Sequence, residues 1–441
     1  MEMLLISGGQ PLKGEVEISG SKNVALKAIV AGLLTEDELV LENVPDISDL
    51  TLMEQIAQKL GVKIERKNKT LTVRAANLTS DKVPLEMGAL LRTSSMFIAP
   101  LIARLGRAVV PNPGGCRIGA RPIDRHIQGL KKMGLALKYN DRDGYFHAES
   151  KKLKGVRYRF PKNTHTGTET LTLAAVLAEG QTVLENAAHE PEVDDLIRLL
   201  NSMGGKIRRT RTRTIVVEGV KKLHGTTFKI MPDRNEAVTF AVAALATGGD
   251  VFLKNAQADV LKPFLRKVKE AGGEFKEIDT GLRFFPNGKP HPTNITTSAY
   301  PGFMTDWQAP WALFMTQADG ESLIHETIYE NRFQYTEELK KMGAKIILFN
   351  PKISNPKKYY NFNWEDNRPD YFHAAQILGP TKLHNAVLQI SDLRAGATLV
   401  LAALTASGKS YLTGVEHLDR GYENFEKRLR SLGAKIKRVE E

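Results

Sequence analysis

One five-residue pattern recurs six times along the chain and constrains the fold more than any other feature. The copies read LGVKI, MGLAL, MGGKI, AGGEF, MGAKI and LGAKI, and their second residues are Gly61, Gly134, Gly204, Gly272, Gly343 and Gly433. Successive glycines are 73, 70, 68, 71 and 90 residues apart. Each copy follows a stretch of helical periodicity and precedes a strand-like stretch. We therefore expect each glycine to end a helix at its C-cap.

The residues between these glycines repeat as well. Alanine-rich stretches such as ETLTLAAVLAEG and EAVTFAVAALATGG predict helices that are buried on all sides. A strand follows, and then a helix such as DLTLMEQIAQKLG, whose one-sided apolar pattern predicts a position on the outside. The fold class is therefore α/β, and six units favour two domains of three, each with sheets around buried helices. A linear solenoid is the alternative, although a period near 70 residues is long for one and no capping repeat is visible.

The fifth unit is about twenty residues longer than the others. The surplus lies within Phe349 to Lys382, a segment rich in proline, asparagine and aromatic residues. It interrupts the strand region of the unit, so we expect a surface excursion near residues 350–380. A contact with a partner or a second copy of the chain is the alternative.

Composition limits the classes of function. The 441 residues carry a net charge of +12, with ordinary hydrophobic (42%) and charged (25%) fractions, which is typical of a soluble globular protein. A single cysteine excludes an internal disulfide and fits a reducing compartment. We find no signal-peptide pattern and no long apolar run, so we predict a cytoplasmic protein that does not associate with membranes.

The positive charge would suit a nucleic acid, a membrane surface or an anionic small molecule. The densest basic run, Lys206 to Val217, alternates arginine and threonine, which predicts the solvated face of a strand or hairpin. It contains no aromatic residues for base stacking, which argues against RNA binding. The run LTASGKS ends like a P-loop, but a helix precedes it and the first glycine of that motif is missing. No cysteine and histidine spacing indicates a metal site.

Cations stand at corresponding places in several units. Lys22, Arg92 and Arg394 lie at or near predicted starts of buried helices. Exposed helix N-termini with converging cations favour a ligand that carries several negative charges, such as phosphate and carboxylate groups. Asp306 and Asp392 also stand where buried helices begin, and the simplest role for both is N-capping. The functional hypothesis for Asp306 is a general base that faces the cations.

The only cysteine, Cys116, lies in PNPGGCRIGARP, between Gly115 and Arg117. A lone cysteine is most often an inert small apolar residue. This one is outside any apolar pattern, the glycines permit movement, and Arg117 and Arg121 favour the thiolate form. We therefore predict a reactive, functional thiol.

These motifs closely resemble the enolpyruvyl transferase family, and within it the branch that acts on UDP-N-acetylglucosamine in peptidoglycan synthesis. The resemblance covers essentially the whole chain and includes EISGSKN, PGGCRIGARPID, VLENAAHEPEV, MPDRNEA, ENRF, DLRAGA and HLDRGYE. It implies an inside-out α/β barrel in two domains of three units each. Residues 1–21 plus 232–441 would form one domain and residues 22–231 the other, with the active site in the cleft between them.

The resemblance also implies the chemistry. The enolpyruvyl group of phosphoenolpyruvate would move to the sugar 3-hydroxyl with release of phosphate, and without a metal or organic cofactor. Cys116 would protonate or capture phosphoenolpyruvate on a mobile lid, and Asp306 would take the hydroxyl proton. The implied catalytic residues are Cys116, Asp306, Lys22, Arg121 and Arg420. The implied substrate contacts are Lys22, Asn23, Arg92, Arg121, Pro122, Ile123, Asp124, Lys162, Thr164, Asp306, Ile328, Arg332, Arg394 and Arg420.

Three other interpretations stay open at this point. The chain could transfer the same group to another hydroxyl, such as that of shikimate 3-phosphate. It could be a binding paralogue without catalysis, although such a protein would not need both Cys116 and Asp306. An RNA-binding protein is supported by net charge alone. We expect small-molecule substrates, no nucleic acid or membrane partner, and a monomer or weak homo-oligomer.

Overall fold

The computed structural model describes residues 2–114, 120 and 122–440, and the chain divides into two compact units. The first unit combines Met1–Ser19 with Pro232–Glu441 and includes Ala120. The second unit contains Gly20–Gly115 and Pro122–Met231. Among the helices of the described ranges, none is both long enough and apolar enough to cross a membrane.

Strands and helices are interspersed along the described residues. The strands are β1 (Glu2–Ser7), β2 (Lys13–Glu17), β3 (Glu38–Glu42), β4 (Lys63–Lys67), β5 (Thr70–Arg74), β6 (Arg107–Pro111), β7 (Ala136–Asn140), β8 (Tyr145–Glu149), β9 (Arg157–Arg159), β10 (Gln181–Glu185), β11 (Lys206–Arg211), β12 (Thr214–Glu218), β13 (Thr227–Lys229), β14 (Asp250–Lys254), β15 (Gly273–Ile278), β16 (Gly281–Pro286), β17 (Ile295–Thr296), β18 (Gly320–His325), β19 (Lys345–Phe349), β20 (Ala374–Gly379), β21 (Val387–Gln389), β22 (Lys409–Thr413) and β23 (Lys435–Glu440). The α-helices are α1 (Lys22–Gly32), α2 (Ser48–Lys59), α3 (Leu85–Gly88), α4 (Ile98–Leu105), α5 (Asp124–Lys132), α6 (His165–Ala175), α7 (Pro191–Ser202), α8 (Arg234–Thr247), α9 (Ala258–Glu270), α10 (Gln308–Met315), α11 (Tyr335–Lys341), α12 (Pro356–Tyr359), α13 (Leu393–Thr405), α14 (Glu416–Asp419) and α15 (Phe425–Ser431). Short 3₁₀ helices span Arg92–Phe97, Thr305–Trp307 and Trp364–Asp366.

Within the described residues, each unit contains three sheets whose strands follow a similar order. Written from the edge strand that is parallel to its neighbour, the sheets of the first unit are β2-β14-β16-β15, β17-β18-β20-β19 and β21-β22-β1-β23. The second unit has β13-β3-β5-β4 and β9-β10-β12-β11, and its third sheet has three strands, β6-β8-β7. In each four-stranded sheet, one edge strand is parallel to its neighbour and the other pairs are antiparallel. The three-stranded sheet gains an isolated parallel bridge from Lys82 to Val109 at the equivalent place.

Strand pairing explains why the first unit is discontinuous in sequence. Strand β2 pairs in parallel with β14, which follows it by more than two hundred residues. Strand β1 lies between β22 and β23 and pairs with both. The N-terminal strands therefore complete two sheets of the first unit. In the second unit, β13 completes the sheet of β3 just before the chain leaves that unit.

The two kinds of helix are placed as the sequence pattern predicts. Helix α8 is buried from Arg234 to Ala246, and α1 and α13 are buried along almost their whole length. Helix α9 buries one face only, through Leu261, Phe264, Leu265 and Val268. An all-apolar helix can be stable only where other elements cover every side, whereas a one-sided helix needs a single packing partner.

The six repeated glycines end helices as predicted. All have positive φ angles, between 72° and 99°. The carbonyl of the residue just before each glycine accepts a backbone hydrogen bond. For the first five glycines the donor lies farther along the chain, and for the last it is near the N-terminus. In chain order of the glycines, the donors are Thr79, Lys154, His224, His291, His384 and Lys13. The same bond thus closes every unit, and three of the ten histidines serve it through their backbone N–H groups.

A second left-handed position follows the strand after a buried helix. Asn43, Asn186 and Asn255 have φ angles of 59°, 53° and 67°, and Gly414 takes the corresponding place with 77°. Asparagine and glycine tolerate this conformation better than other residues. The side chain of Asn186 also donates a hydrogen bond of 2.9 Å to the carbonyl of Phe160, which follows the parallel neighbour strand β9.

The fifth unit is longer because its outer hairpin carries a folded excursion. Strands β4 and β5, β11 and β12, and β15 and β16 are joined by two residues each. Strands β19 and β20 pair in the same way, with Phe349 opposite Ala374, but 24 residues, 350–373, lie between them. These residues, called the insertion below, contain α12 and a 3₁₀ turn. The predicted interruption of the strand region is confirmed.

We predict that Asn186→Ala destabilises the protein more than Asn186→Gly. Both changes remove the hydrogen bond to Phe160, worth about 1 kcal/mol. Alanine adds left-handed strain of about 1–2 kcal/mol, which glycine avoids. Chemical denaturation of both variants measures the difference. Equal free energies of unfolding would contradict a role for the backbone conformation.

Candidate active site

In the first unit, Asp306 lies in a rigidly held 3₁₀ turn, Thr305–Trp307, which leads into α10. The ring of Trp307 is fully buried against Phe303 and Phe264 in edge-to-face contacts. Its Nε1–H donates a 2.9 Å hydrogen bond to Oδ1 of Asn235. These contacts fix the backbone on one side of Asp306, whose own side chain stays 26% exposed.

Arg332 lies between two carboxylates. One Nη atom is 3.2 Å from Oδ1 of Asp306, and the other is 3.7 Å from Oδ1 of Asp392. Only 5% of the Arg332 side chain is exposed, so its charge is largely removed from water. A buried guanidinium group needs such partners, because unpaired it would be costly to desolvate.

Arg394 approaches Asp306 from a second direction. Its Nε is 3.9 Å from Oδ2 of Asp306, and one Nη donates a 2.9 Å hydrogen bond to the hydroxyl of Tyr422. Burial disfavours the charge of Arg394, but the Tyr422 phenol and nearby carboxylates raise its pKa overall. Arg394 therefore remains a cation beside the Asp306 carboxylate and the Tyr422 hydroxyl.

The capping prediction is confirmed for Asp392 and wrong for Asp306. Oδ1 of Asp392 accepts hydrogen bonds from the N–H groups of Arg394 and Ala395, at 3.0 and 3.1 Å. Asp306 instead lies inside a 3₁₀ turn, and the residue that precedes α10 is Trp307. The two aspartates therefore differ in role: Asp392 caps the N-terminus of α13, whereas Asp306 faces Arg332 and Arg394.

A buried carboxylate that the sequence did not single out links two parts of this region. Glu326 is fully buried, and its Oε2 accepts hydrogen bonds of 3.0 Å from Thr305 and Gln308. Its Oε1 accepts from the N–H groups of Ile328 and Tyr329, at 2.7 and 3.1 Å. Glu326 therefore connects the turn of Asp306 to the turn that carries Ile328.

Arg420 and Ile328 complete the predicted residues of this unit. Arg420 is partly buried at the end of the short helix α14. The preceding Asp419 accepts hydrogen bonds of 2.9 and 2.7 Å from Arg438, which holds that helix end in place. Ile328 is partly exposed.

In the second unit, Lys22 is the first residue of the buried helix α1, as predicted. Its Nζ is 2.6 Å from Oδ2 of Asp49, in the first turn of α2. Both side chains are at most 10% exposed. The Asp49 carboxylate offsets the unfavourable interaction between the Lys22 charge and the positive end of α1. Asn23 follows on the same helix and is partly exposed.

Arg92, Pro122, Ile123 and Asp124 also come together in this unit. An Nη of Arg92 donates a 3.0 Å hydrogen bond to the carbonyl of Pro122. Asp124 begins α5, and its buried Oδ1 accepts no hydrogen bond from the described residues. Ile123 is 9% exposed and Pro122 is exposed. The side chain of Arg125 reaches the carbonyl of Asn163 at 3.2 Å, which joins this segment to the next predicted contact.

Lys162 and Thr164 precede helix α6. The hydroxyl of Thr164 caps that helix by accepting a hydrogen bond from the N–H of Gly167. Behind this turn, Glu169 is fully buried, 3.1 Å from Nε2 of His165 and 3.2 Å from Nζ of Lys27. Burial alone would lower the pKa of His165, but Glu169 raises it overall. Cys116 and Arg121, the remaining predicted residues, lie outside the described residues.

Sequence reasoning missed three residues that support the site, and each lay within or near a motif that it did use. Asp49 stands in the first turn of a predicted outer helix, Glu326 stands four residues before Glu330 of ENRF, and Tyr422 follows HLDRG. The available signal for Glu326 was a carboxylate directly after a predominantly apolar strand end. No spacing in the sequence pairs Asp49 with Lys22, because that contact depends on how two helices pack.

Comparison with known proteins identifies the family of this chain. The family model of EPSP synthase (3-phosphoshikimate 1-carboxyvinyltransferase) matches residues 6–429. The chain belongs to this family of enolpyruvyl transferases. A UDP-N-acetylglucosamine 1-carboxyvinyltransferase of Koribacter versatilis is 42% identical over 445 residues, which cover 100% of this chain and 97% of the relative. The protein of that name from Acidobacterium capsulatum is 43% identical and is covered to 96%.

Solved structures of enolpyruvyl transferases share the fold. The enolpyruvyl transferase NikO of Streptomyces tendae superposes with a TM-score of 0.87 at 22% identity, over 99% of both chains. An EPSP synthase of Acinetobacter baumannii superposes with a TM-score of 0.71 at 20% identity, over 100% of both chains. The predicted family and its α/β fold class are thereby confirmed.

In this enolpyruvyl transferase, Glu326 should make stability depend on pH. Burial raises the pKa of Glu326 above its ordinary value of 4.5, although backbone N–H groups and Arg332 oppose the change. The stability that this group contributes is therefore complete below about pH 4.5 and is lost as pH rises through the raised value, by about 1.4 kcal/mol per unit of pKa difference.

The neutral variant Glu326→Gln should lack this dependence. The buried Oε1 of Gln308 accepts no hydrogen bond from the described residues. If the Gln308 amide rotates, this oxygen can accept a hydrogen bond from the new glutamine side chain. Denaturation of both proteins across pH 4–8 should show the wild type losing stability relative to the variant. A constant difference would refute the raised pKa.

Proposed function

We propose that this chain transfers the enolpyruvyl group of phosphoenolpyruvate to the 3-hydroxyl of UDP-N-acetylglucosamine and releases phosphate, the first committed step of peptidoglycan synthesis. The observation that carries the proposal is the full-length identity of 42–43% to two relatives with that name. Support from the structure comes from Asp306, which is partly exposed and lies within 4 Å of Arg332 and Arg394.

The finer architecture is part of the proposal. We assign each unit an inside-out α/β barrel of three repeats, with residues 1–21 plus 232–441 in one domain and 22–231 in the other. The helices buried on all sides and the three sheets of each unit support this assignment.

The reaction is an addition followed by an elimination. The 3-hydroxyl oxygen adds to C2 of phosphoenolpyruvate while a proton adds to C3, and loss of phosphate and a C3 proton restores the double bond. Asp306 would take the hydroxyl proton, because it is a partly exposed carboxylate on a rigid turn. Cys116 would supply the proton to C3 or capture the substrate covalently.

Phosphoenolpyruvate carries a phosphate and a carboxylate, so it needs several cations. We assign Lys22, Arg121 and Arg420 to the phosphate. Arg332 and Arg394 would hold the carboxylate, and their burial supports this role because a desolvated guanidinium binds an anion more strongly. The anionic partners of both arginines within the protein hold them in position before substrate arrives.

The remaining predicted contacts are assigned to the acceptor. Asn23, Arg92, Pro122, Ile123, Asp124, Lys162, Thr164 and Ile328 are assigned to the UDP-sugar. The buried Oδ1 of Asp124, which accepts no hydrogen bond from the described residues, supports a ligand that donates a hydrogen bond there. The cytoplasm is the assigned compartment, and no metal or organic cofactor takes part in the proposed chemistry.

Phosphate release tests the proposed function directly. The purified protein should release phosphate from phosphoenolpyruvate only when UDP-N-acetylglucosamine is present. Shikimate 3-phosphate is the control acceptor, because the matching family model is named after 3-phosphoshikimate 1-carboxyvinyltransferase, an enzyme that uses it. Turnover with shikimate 3-phosphate instead would overturn the acceptor assignment and keep the reaction class.

Asp306→Asn should keep substrate binding and lose turnover. The amide keeps the size of the side chain but cannot accept the hydroxyl proton, and loss of a general base typically costs about 10²–10⁴-fold in rate. Phosphate-release kinetics give kcat, and calorimetry gives the affinity for UDP-N-acetylglucosamine. A kcat close to that of the wild type would remove Asp306 from the mechanism.

Cys116 should be the single site of covalent modification by fosfomycin, an epoxide that mimics phosphoenolpyruvate. It is the only thiol of the chain, and the flanking Arg117 and Arg121 favour the thiolate. Intact-protein mass spectrometry with fosfomycin and UDP-N-acetylglucosamine should show one adduct and parallel loss of activity. The matched variant Cys116→Asp keeps a proton donor, so it should resist modification and retain some turnover. An unmodified, active wild type would contradict the assignment.

A further inference from the structure

The insertion places 24 residues where three other units of the same chain use two. The pairs β4–β5, β11–β12 and β15–β16 close with residues 68–69, 212–213 and 279–280. Strands β19 and β20 keep regular antiparallel pairing up to Phe349 and Ala374. The pairing of β19 and β20 therefore does not need the insertion. The contacts of the insertion with the rest of the unit indicate its function.

The backbone of the insertion is hydrogen-bonded to the residues just before Ile328. The N–H of Asn361 donates to the carbonyl of Thr327 at 2.8 Å. The N–H of Glu326 donates to the carbonyl of His373, also at 2.8 Å. Both ends of the two-residue segment 326–327 are thus bonded to the insertion. The residues 325–329 are called the acceptor turn below.

Aromatic side chains add a second set of contacts to the acceptor turn. The ring of His325 stacks on Tyr359, with centroids 5.3 Å apart and planes at 17°. Nε2 of His325 lies 3.2 Å from the hydroxyl of Tyr360. Burial lowers the pKa of His325, so the ring is neutral at physiological pH and can accept or donate in this contact.

The insertion is rigid enough to hold another segment because it has a small core of its own. Tyr360 and Phe362 are 2% and 6% exposed. Tyr360 stacks on Trp364 with centroids 5.3 Å apart, and Phe362 packs on His373 at 5.2 Å. The N–H of His373 donates a 3.0 Å hydrogen bond to Oδ1 of Asn350, which ties the two ends of the insertion together.

The opposite side of the acceptor turn is fixed by the main body of the unit. Thr327 donates from its N–H to the hydroxyl of Thr297 at 2.8 Å, and its own hydroxyl donates to the Thr297 carbonyl at 2.5 Å. The Glu326 side chain bonds to Thr305 and Gln308, on either side of Asp306. The acceptor turn therefore lies between the turn of the proposed general base and the insertion.

We infer that the insertion is a positioning element for the acceptor substrate: it braces the acceptor turn so that Ile328 and Tyr329 meet the UDP-sugar in a fixed geometry beside Asp306. This inference rests on the proposed function in the assignment of Ile328 to the UDP-sugar. The brace itself, a contact between two segments of one unit, does not depend on that assignment.

A single substitution can remove one bond of the brace. Asn361→Pro deletes the N–H that donates to Thr327. Proline requires an extended residue before it, and Tyr360 is extended already, with φ −79° and ψ 143°. Asn361→Ala is the matched control, because it removes the same side chain and keeps the N–H group.

Two measurements separate positioning from general stability. In Asn361→Pro, the amides of Ile328 and Tyr329 should exchange with solvent about three- to tenfold faster, the equivalent of one hydrogen bond. The KM for UDP-N-acetylglucosamine should rise by a similar factor, whereas the KM for phosphoenolpyruvate stays unchanged. Both changes are measured relative to Asn361→Ala, so that the contribution of the Asn361 side chain cancels and the loss of the N–H group remains.

A second variant tests the whole insertion. Residues 350–373 are replaced by Asn-Gly, a two-residue turn that suits an antiparallel pair such as Phe349 and Ala374. We expect a larger rise in the same KM, with kcat reduced because the turn of Asp306 shares Glu326 with the acceptor turn. If this variant does not fold, the Asn361 pair decides the question alone.

The possible outcomes are distinct. Unchanged exchange of Ile328 and Tyr329 in Asn361→Pro would refute the brace. Faster exchange with an unchanged KM for UDP-N-acetylglucosamine would refute its role in acceptor binding. A wild-type protein that does not turn over UDP-N-acetylglucosamine would refute the proposed function, while the exchange measurement would still judge the brace.

Discussion

The need to cover helices on every side is the constraint on which the rest of this structure depends. Helix α8 is buried from Arg234 to Ala246, so no face of it can carry a functional group to solvent. Only the ends of such helices can do so, and Lys22 and Arg394 lie at those ends in α1 and α13. Residues at the ends of fully packed helices are held more rigidly than loop residues, which suits a site that binds a compact anion.

The same constraint makes charge pairing necessary. Cations at buried helix starts are partly desolvated and oppose the helix dipole, so each needs an anion nearby. Lys22 has Asp49, and Arg394 has Asp306 and the Tyr422 hydroxyl. Arg332, which is buried in the segment before α11, has Asp306 and Asp392. An incoming phosphate or carboxylate would meet cations that are already oriented, so little reorganisation remains for the binding step.

The insertion shows how a repeat can acquire a local function without a change of fold. A hairpin end can accept extra residues because the strand pairing on its inner side is complete, as the pair Phe349 and Ala374 shows. The added segment then needs its own apolar core, which Tyr360, Phe362 and Trp364 provide. Its position beside β18 places it next to the acceptor turn, at the strand end from which Ile328 follows.

The sequence by itself determined the repeated unit, the buried and outer helices and the helix-ending glycines, because these follow from periodicity and local backbone preference. The family followed from the resemblance of the chain's motifs to those of enolpyruvyl transferases. The sequence also placed Lys22, Arg92 and Arg394 at helix starts. Only the tertiary structure showed that Glu326 joins two turns, that Asp49 pairs with Lys22, and that Asp306 faces two arginines instead of capping a helix. Likewise, only the structure showed that Asn361 is bonded to Thr327. The physical reason is that these contacts join residues from different elements, and their geometry is set by the packing of whole helices and sheets, which leaves no periodic trace in the chain.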